Sequence, residues 1–223
     1  MIVGASRGIG LALTREFLGL GWRVMATERH PSTGLDHLAA EAGDRLLRAP
    51  LALGDRESER AFVAGLAGLS FKAVVMNAGI FGPGHQSLDT LREEVAELLE
   101  VNALAPVRLA HRLMANLAVP DGVLAFMTSR LGSLAENQSG GMDLYRLSKA
   151  ALNMLTRSLV AGNEVRGLTI LNLHPGWVKT DMGGEAAPLD VETSARGLAR
   201  VIMDAAGRGG QHFLDYQGET IPW

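Results

Sequence analysis

The segment Met1-Ile2-Val3-Gly4-Ala5-Ser6-Arg7-Gly8-Ile9-Gly10 opens the chain and decides how the rest of it is read. Ile2 and Val3 suit a strand, and they run straight into a turn carrying three glycines. Beyond the turn Ile9, Leu13 and Phe17 recur at helical spacing until Gly19 and Gly21 stop the helix. The absent side chains at Gly4, Gly8 and Gly10 let the backbone bend tightly and approach a pyrophosphate, which the unpaired N–H groups and dipole of a helix start attract. The loose spacing G-x-x-x-G-x-G fits an ordinary turn as well; its place between a strand and a helix favours the phosphate reading. Gly4-Ala5-Ser6-Arg7-Gly8 also matches G-x-S-x-G, the elbow that presents a nucleophilic serine in hydrolases, with Ser6 in that role. Such an elbow normally follows several strands, whereas three residues precede Gly4 here, and no acid and histidine pair declares itself downstream.

Working outward, short apolar runs alternate with longer segments of helical period. Trp22 to Thr27 reads as a second strand, Leu35 to Ala42 as a short helix, Arg45 to Arg48 as a third strand, Glu57 to Leu66 as a helix and Ala73 to Met76 as a fourth strand. Leu88, Leu91, Val95 and Leu98 mark an amphipathic helix with Ser87 or Asp89 as its cap, and Pro106 opens another that runs to Leu117. Val123 to Met127 makes a fifth strand, and Leu144, Leu147, Ala151, Leu155 and Leu159 stripe a long helix. Leu168 to Leu173 is a sixth strand, Val191 to Ala205 a helix, and His212 to Leu214 a seventh strand. Strands alternating with helices imply right-handed crossovers and a sheet covered on both faces. The expected fold is therefore α/β, a Rossmann-type doubly wound sandwich of about seven mostly parallel strands, with its ligand crevice at their carboxyl ends.

Composition narrows the classes. With 223 residues the chain suits one domain over residues 1–223, because α/β chains of ~200 to 250 residues routinely form one. Lys and Arg number 21 against 24 Asp and Glu, a net charge of −3 that argues against a nucleic-acid partner bound through its phosphates. Cysteine is absent, which removes disulfides and thiolate chemistry. No apolar run has the ~18 residues of a membrane span, and Arg7 with its neighbouring glycines replaces any secretion-signal core. A cytoplasmic protein without a membrane partner is expected. None of the six histidines forms a tight ligand cluster, so no metal is expected. His174 precedes a proline and suits a local structural role.

Four further segments carry chemistry. Tyr145 and Lys149 stand four apart, hence on one helix face, where a neighbouring ammonium favours the phenolate and tunes the tyrosine as an acid/base. Ser129, with Thr128 and Ser133 as neighbouring competitors, follows the fifth strand and can hydrogen-bond a reacting oxygen at the sheet edge. Asn77-Ala78-Gly79 follows the fourth strand, and Asn102 stands in the next helical region. Taken singly, these are also an exposed pair, a cap serine, a strand-ending turn and a polar residue at a helix end.

Together and in order, the glycine turn, Asn77-Ala78-Gly79, Asn102, Ser129 and Tyr145-x-x-x-Lys149 resemble the short-chain dehydrogenase/reductase family along essentially the whole chain. Ser-Arg-Leu-Gly-Ser from Ser129, the run from Tyr145 to Met154, His174-Pro175-Gly176-Trp177 and the ending from Phe213 are similar to its C-factor-like branch of compact members, related to a bacterial intercellular-signalling protein. The resemblance implies an oxidoreductase that interconverts a carbonyl and an alcohol, with Tyr145 moving the proton and Ser129 on the substrate oxygen. Lys149 would tune Tyr145 and grip the nicotinamide ribose, and Asn102 would hold a water in the proton relay. It also implies cofactor contacts from Gly4, Ser6, Arg7, Gly8, Ile9, Gly10, Glu28, Arg29, Leu53, Asn77, Ala78, Gly79, Tyr145, Lys149, Pro175, Gly176, Val178 and Thr180.

Glu28 suits the adenosine ribose hydroxyls of NAD, whereas Arg29 and Arg7 suit the extra phosphate of NADP; the balance leans to NADP(H). Departures from the family pattern are Ala52 where an adenine-holding Asp is usual, Val3 where threonine is usual, and a gap of 16 from Ser129 to Tyr145. Phe81, Leu131, Met142, Trp177 and Met182 are candidates for an apolar mouth that takes a small carbonyl or alcohol, or for ordinary core and dimer contacts. A homodimer through the two long helices is the expected assembly. A dinucleotide-binding signalling protein with little turnover stays open as the second reading.

Overall fold

A computed structural model of the chain describes residues 1–83, 89–162 and 167–223. Its strands are β1 Ile2–Val3, β2 Val24–Glu28, β3 Leu46–Pro50, β4 Ala73–Met76, β5 Val123–Met127, β6 Thr169–His174 and β7 Gly210–Asp215. The helices between them are α1 Gly8–Gly19, α2 Thr33–Ala42, α3 Arg56–Ala64, α4 Arg92–Leu99, α5 Ala105–Leu113, α6 Asp143–Ala161 and α7 Val191–Asp204. All seven strands are parallel, in the order β3-β2-β1-β4-β5-β6-β7. The chain builds outward from β1 to one edge, returns, and builds outward again from β4. That reversal opens a crevice beyond the carboxyl ends of β1 and β4, where Gly4 and Asn77 leave the sheet.

Both faces are dry, which is why Ala73–Met76 and Val123–Met127 read as unbroken apolar runs. Ile2, Ala26, Val75, Ala125 and Leu171 pack towards Leu13 and Phe17 of α1 and Leu198 and Ile202 of α7. Their strand neighbours Val3, Met25, Val74, Leu124 and Phe126 face the other way, onto Phe62, Leu109, Leu113 and Leu152. The two-residue period of the strands thus feeds two cores. Among the described residues no helix is long and apolar enough to cross a membrane.

Several boundaries differ from the sequence reading. Trp22 is not in β2: its backbone N–H closes on Phe17 O, and its ring meets Phe17 edge-on at 5.2 Å, so it finishes the turn after α1. Arg45 belongs to a short 3-10 turn, and β3 runs on to Pro50. The sequence-predicted cap at Ser87 and the helical residue Leu88 lie outside the described residues; α4 starts at Arg92, with Leu91 in the cap position, so Asp89 does not cap it. Pro106 does not begin a separate helix. A π turn, Glu100–Leu104, carries α4 directly into α5 and absorbs the proline in the first turn of α5. Nor is α5 as long as expected, because Met114–Asn116 tightens into a 3-10 turn.

Candidate active site

The glycine turn is a cradle closed by neighbours. Gly4 sits at φ 83°, and its N–H donates to Thr27 Oγ1 at 3.1 Å while its carbonyl accepts from Asn77 Nδ2 at 2.7 Å. A Cβ on Gly10 would stand 2.1 Å from Gly4 O, and one on Gly4 would stand 2.7 Å from Ala78 Cβ. No side chain fits at either place. Arg7 occupies the N-cap position of α1 with an extended backbone and makes no side-chain cap bond, so the helix start keeps its N–H groups for a ligand. Ile9 packs against the core beneath. Among the described residues no hydrogen bond joins Ser6 to a histidine or carboxylate, which leaves it without the relay a nucleophilic serine needs.

On the other face of the crevice α6 carries Tyr145 and Lys149. Lys149 Nζ donates to Met127 O at 3.0 Å and lies 5.5 Å from the centroid of the Tyr145 ring. Asn102, in the π turn, is buried; its Oδ1 accepts from Ile80 N at 2.8 Å, and its Nδ2 donates to Ile80 O and to Ser148 Oγ. Gly79 fills the gap between them: a Cβ there would lie 3.2 Å from Asn102 Oδ1 and 3.6 Å from Lys149 Nζ. The structure therefore brings Gly79, Asn102, Lys149 and Tyr145 together from three elements.

Three hydroxyls compete beyond β5, and geometry separates them. Thr128 Oγ1 donates to Asn153 Oδ1, and Ser133 Oγ donates to Pro222 O at 2.6 Å. Ser129 Oγ accepts from Leu131 N, which leaves its O–H available to donate. Burial outweighs the neighbouring ammonium at Tyr145, whose phenol is pushed up to about 12 and is not drawn towards phenolate. Burial acts oppositely on Lys149, bringing its ammonium down to about 8. Both groups are protonated at neutral pH.

At the tip of β2 Glu28 is buried and ion-paired. Arg48 grips its carboxylate through Nε at 2.8 Å and NH2 at 2.6 Å, Ser32 N adds a third bond, and Arg48 also reaches Asp36. Arg29 is exposed on the outer side of a hollow of about 340 Å³ lined by both residues with His30, Arg48 and Pro50. Leu53 is half-buried beside the second core. Arg7 pairs with Asp181 across the mouth. Thr180 faces Gly8, and a bridge between Val178 and Leu189 closes the segment that begins at Pro175 and Gly176. Met182 Sδ accepts from Tyr145 Oη at 3.9 Å, and Phe81 stacks on the Tyr145 ring at 5.3 Å, so the phenol opens onto apolar and aromatic side chains.

The profile of the short chain dehydrogenase family matches residues 1–189. The chain belongs to the short-chain dehydrogenase/reductase family. Within this family of oxidoreductases it is 40% identical over 167 residues to the C-signal protein of Myxococcus xanthus, covering 74% of this chain and 99% of that one. Its fold superposes at a TM-score of 0.95 on a short-chain dehydrogenase/reductase-type protein of Burkholderia multivorans solved with bound NADP, 38% identical and covering 100% and 98% of the two chains. A carbonyl reductase of Pseudomonas aeruginosa PAO1 in complex with NADP superposes at 0.91, 43% identical over 100% and 98%.

Within the short-chain dehydrogenase/reductase frame, the sequence reading missed Arg48, Asp181 and Asn153. Arg48 reaches Glu28 only because the β2–β3 register sets Ala26 beside Arg48. Asp181 could have been suspected from its place next to Thr180. His174 ends β6 with its Nδ1 buried and, among the described residues, without a hydrogen-bond partner. Arg130, from the 3-10 turn after β5, pairs with Asp215 at the end of β7. Among the described residues no group of three His, Asp or Glu side chains is placed to hold a metal ion.

Proposed function

We propose that the chain is an NADP(H)-dependent carbonyl reductase. The carrying observation is the convergence of Tyr145, Lys149, Asn102 and Gly79 opposite a glycine cradle that admits no Cβ at Gly4 or Gly10. The cradle fits a dinucleotide. Gly4, Ser6, Arg7, Gly8, Ile9 and Gly10 would hold the pyrophosphate; Glu28, Arg29 and Leu53 the adenosine; Asn77, Ala78, Gly79, Pro175, Gly176, Val178 and Thr180 the nicotinamide half.

When bound, the nicotinamide supplies the hydride for the carbonyl carbon. Tyr145 holds its proton at neutral pH and so stands in the form that gives a proton to the carbonyl oxygen. Ser129 donates a hydrogen bond to the same oxygen and holds it in place. The Lys149 ammonium faces the Tyr145 ring and favours the negative charge the phenol takes on after giving up its proton. Asn102, fixed on both sides of Ile80, keeps the inner wall of the relay rigid. The apolar mouth of Phe81 and Met182 beside Tyr145 suits a small carbonyl compound with an apolar body.

The phosphate preference rests on Glu28. Arg48 neutralises the acid that would repel a 2′-phosphate, and Arg29 remains at the surface to pair with one. NADPH oxidation with a panel of carbonyl compounds tests the assignment. Turnover is expected in the parent and lost in Tyr145→Phe while NADPH still binds; undiminished turnover in that variant overturns it. Similarity to C-signal favours a second reading, a dinucleotide-binding signalling protein. Tight NADPH binding with none of the panel reduced would establish that one instead. Leu147 and Met154 expose an apolar strip along α6 that suits a homodimer, to be checked by sedimentation.

A further inference from the structure

We propose that Asn153 is the residue that sets Ser129 against Tyr145 and Lys149, an inference that rests on the reductase reading above. Asn153 lies on α6 one turn beyond Lys149 and two beyond Tyr145, hence on their side of the helix. Its side chain is buried and makes three hydrogen bonds. Oδ1 accepts from Thr128 Oγ1 at 2.9 Å and from Asn172 Nδ2 at 3.0 Å, while Nδ2 donates to Gly132 O at 3.2 Å.

Thr128 immediately precedes Ser129, and Gly132 ends the 3-10 turn that Ser129 caps. One amide therefore holds the Ser129 segment at both ends, from the helix that carries the tyrosine and lysine. The fit around it is close. A Cβ on Gly132 would come within 2.9 Å of the Lys149 backbone carbon, so the turn lies directly on the helix where Lys149 leaves it. Only a group with a two-lone-pair acceptor and a donor in one plane serves all three partners. Aspartate has no N–H for Gly132 O, and leucine satisfies none of the three.

The same polar network continues away from the site and supplies its own control. Asn172 Nδ2 donates to Thr156 Oγ1 at 2.9 Å, and Gln211 Nε2 donates to both Thr156 Oγ1 and Asn172 Oδ1. Thr156 is buried in this network; its hydroxyl donates to the Asn153 backbone carbonyl and to Asn172 Oδ1, and among the described residues its hydrogen bonds reach neither Thr128 nor Gly132. Loss of its hydroxyl leaves the Asn153 side-chain bonds to Thr128 and Gly132 in place, whereas loss of the Thr128 hydroxyl or of the Asn153 amide releases Ser129.

The test compares Asn153→Asp, Thr128→Val and Thr156→Val by carbonyl reduction, NADPH binding, thermal unfolding and amide hydrogen exchange at Leu131 and Gly132. In Asn153→Asp and Thr128→Val, kcat is expected to fall at least about tenfold, as for reacting groups displaced by a fraction of an ångström. NADPH affinity should stay within about twofold, and the Leu131 and Gly132 amides should exchange faster. Thr156→Val should lower the unfolding temperature while leaving kcat and those two amides as in the parent. Undiminished kcat in Thr128→Val, or a kcat loss in Thr156→Val that follows its stability, overturns the proposal. Should the parent reduce no carbonyl, the reductase reading falls and the exchange data decide the anchoring separately: unchanged exchange in Asn153→Asp rejects it.

Discussion

Asn77 Nδ2 donates to the carbonyl oxygen of Gly4 at 2.7 Å, tying the two strand ends that flank the switch point. The bond puts an amide directly behind the glycine turn, within 2.6 Å of where a Gly10 Cβ would stand. The cradle is thus shaped by a side chain that lies far along the chain from it.

Gly10→Ala should break this arrangement. Relieving the clash with Gly4 O requires the turn or α1 to move, an overpacking cost of about 1–3 kcal/mol. The expected result is a lowered unfolding temperature and NADPH affinity reduced more than tenfold in a fluorescence titration. Parent-like binding would show that the cradle is not where the dinucleotide sits.

Reduction should depend on the charge of Lys149. Its ammonium is brought down to about 8 by burial, so it is charged below that pH and neutral above it. The rate of carbonyl reduction is expected to be nearly flat from pH 6 to 7 and to fall as pH rises through about 8, with Lys149→Met inactive throughout. A rate that climbs across this interval would exclude the role.

Arg48 should govern cofactor choice through its ion pair with Glu28. Arg48→Met leaves the Glu28 carboxylate without its ion-pair partner, which costs about 1–3 kcal/mol of stability. It also restores a negative charge beside the proposed 2′-phosphate site. The ratio of NADPH to NADH efficiency is expected to drop at least tenfold, and Glu28→Gln in the same background should recover it.

His174 should make the fold acid-sensitive. Burial first, then the Arg130 charge, lowers its imidazole to about 4 from an ordinary 6.5. The unfolded chain then binds the proton first, so stability is complete above pH 6.5 and is lost as pH falls towards 4, by up to about 3 kcal/mol. Urea unfolding across this range should show the slope between pH 6.5 and 5, and His174→Asn should flatten it.

Much of the site was legible because its signals are local. The i, i+4 spacing of Tyr145 and Lys149 shows on any helix, and the short unbroken apolar run Val123–Met127 reads as a strand buried on both faces. The π turn at Glu100–Leu104 was not legible: its residues have ordinary helical character, and Pro106 suggested a fresh start. Only packing against Ser148 and Ile80 shows why the helix widens where Asn102 turns inward. The three hydroxyls from Thr128 to Ser133 looked alike for a similar reason, since each is distinguished by a partner at Asn153, Leu131 or Pro222.

The amino-acid order by itself determined the alternation of strands and helices, the glycine turn and the tyrosine–lysine pair, because each is set by backbone preference and spacing within a few residues. Tertiary structure alone decided which way Glu28 faces, which hydroxyl remains to donate, and that Asn153 spans both ends of the Ser129 segment. Those outcomes depend on hydrogen bonds and ion pairs whose partners are brought together by strand register and helix docking, and a buried charge or amide takes its role from the group across from it.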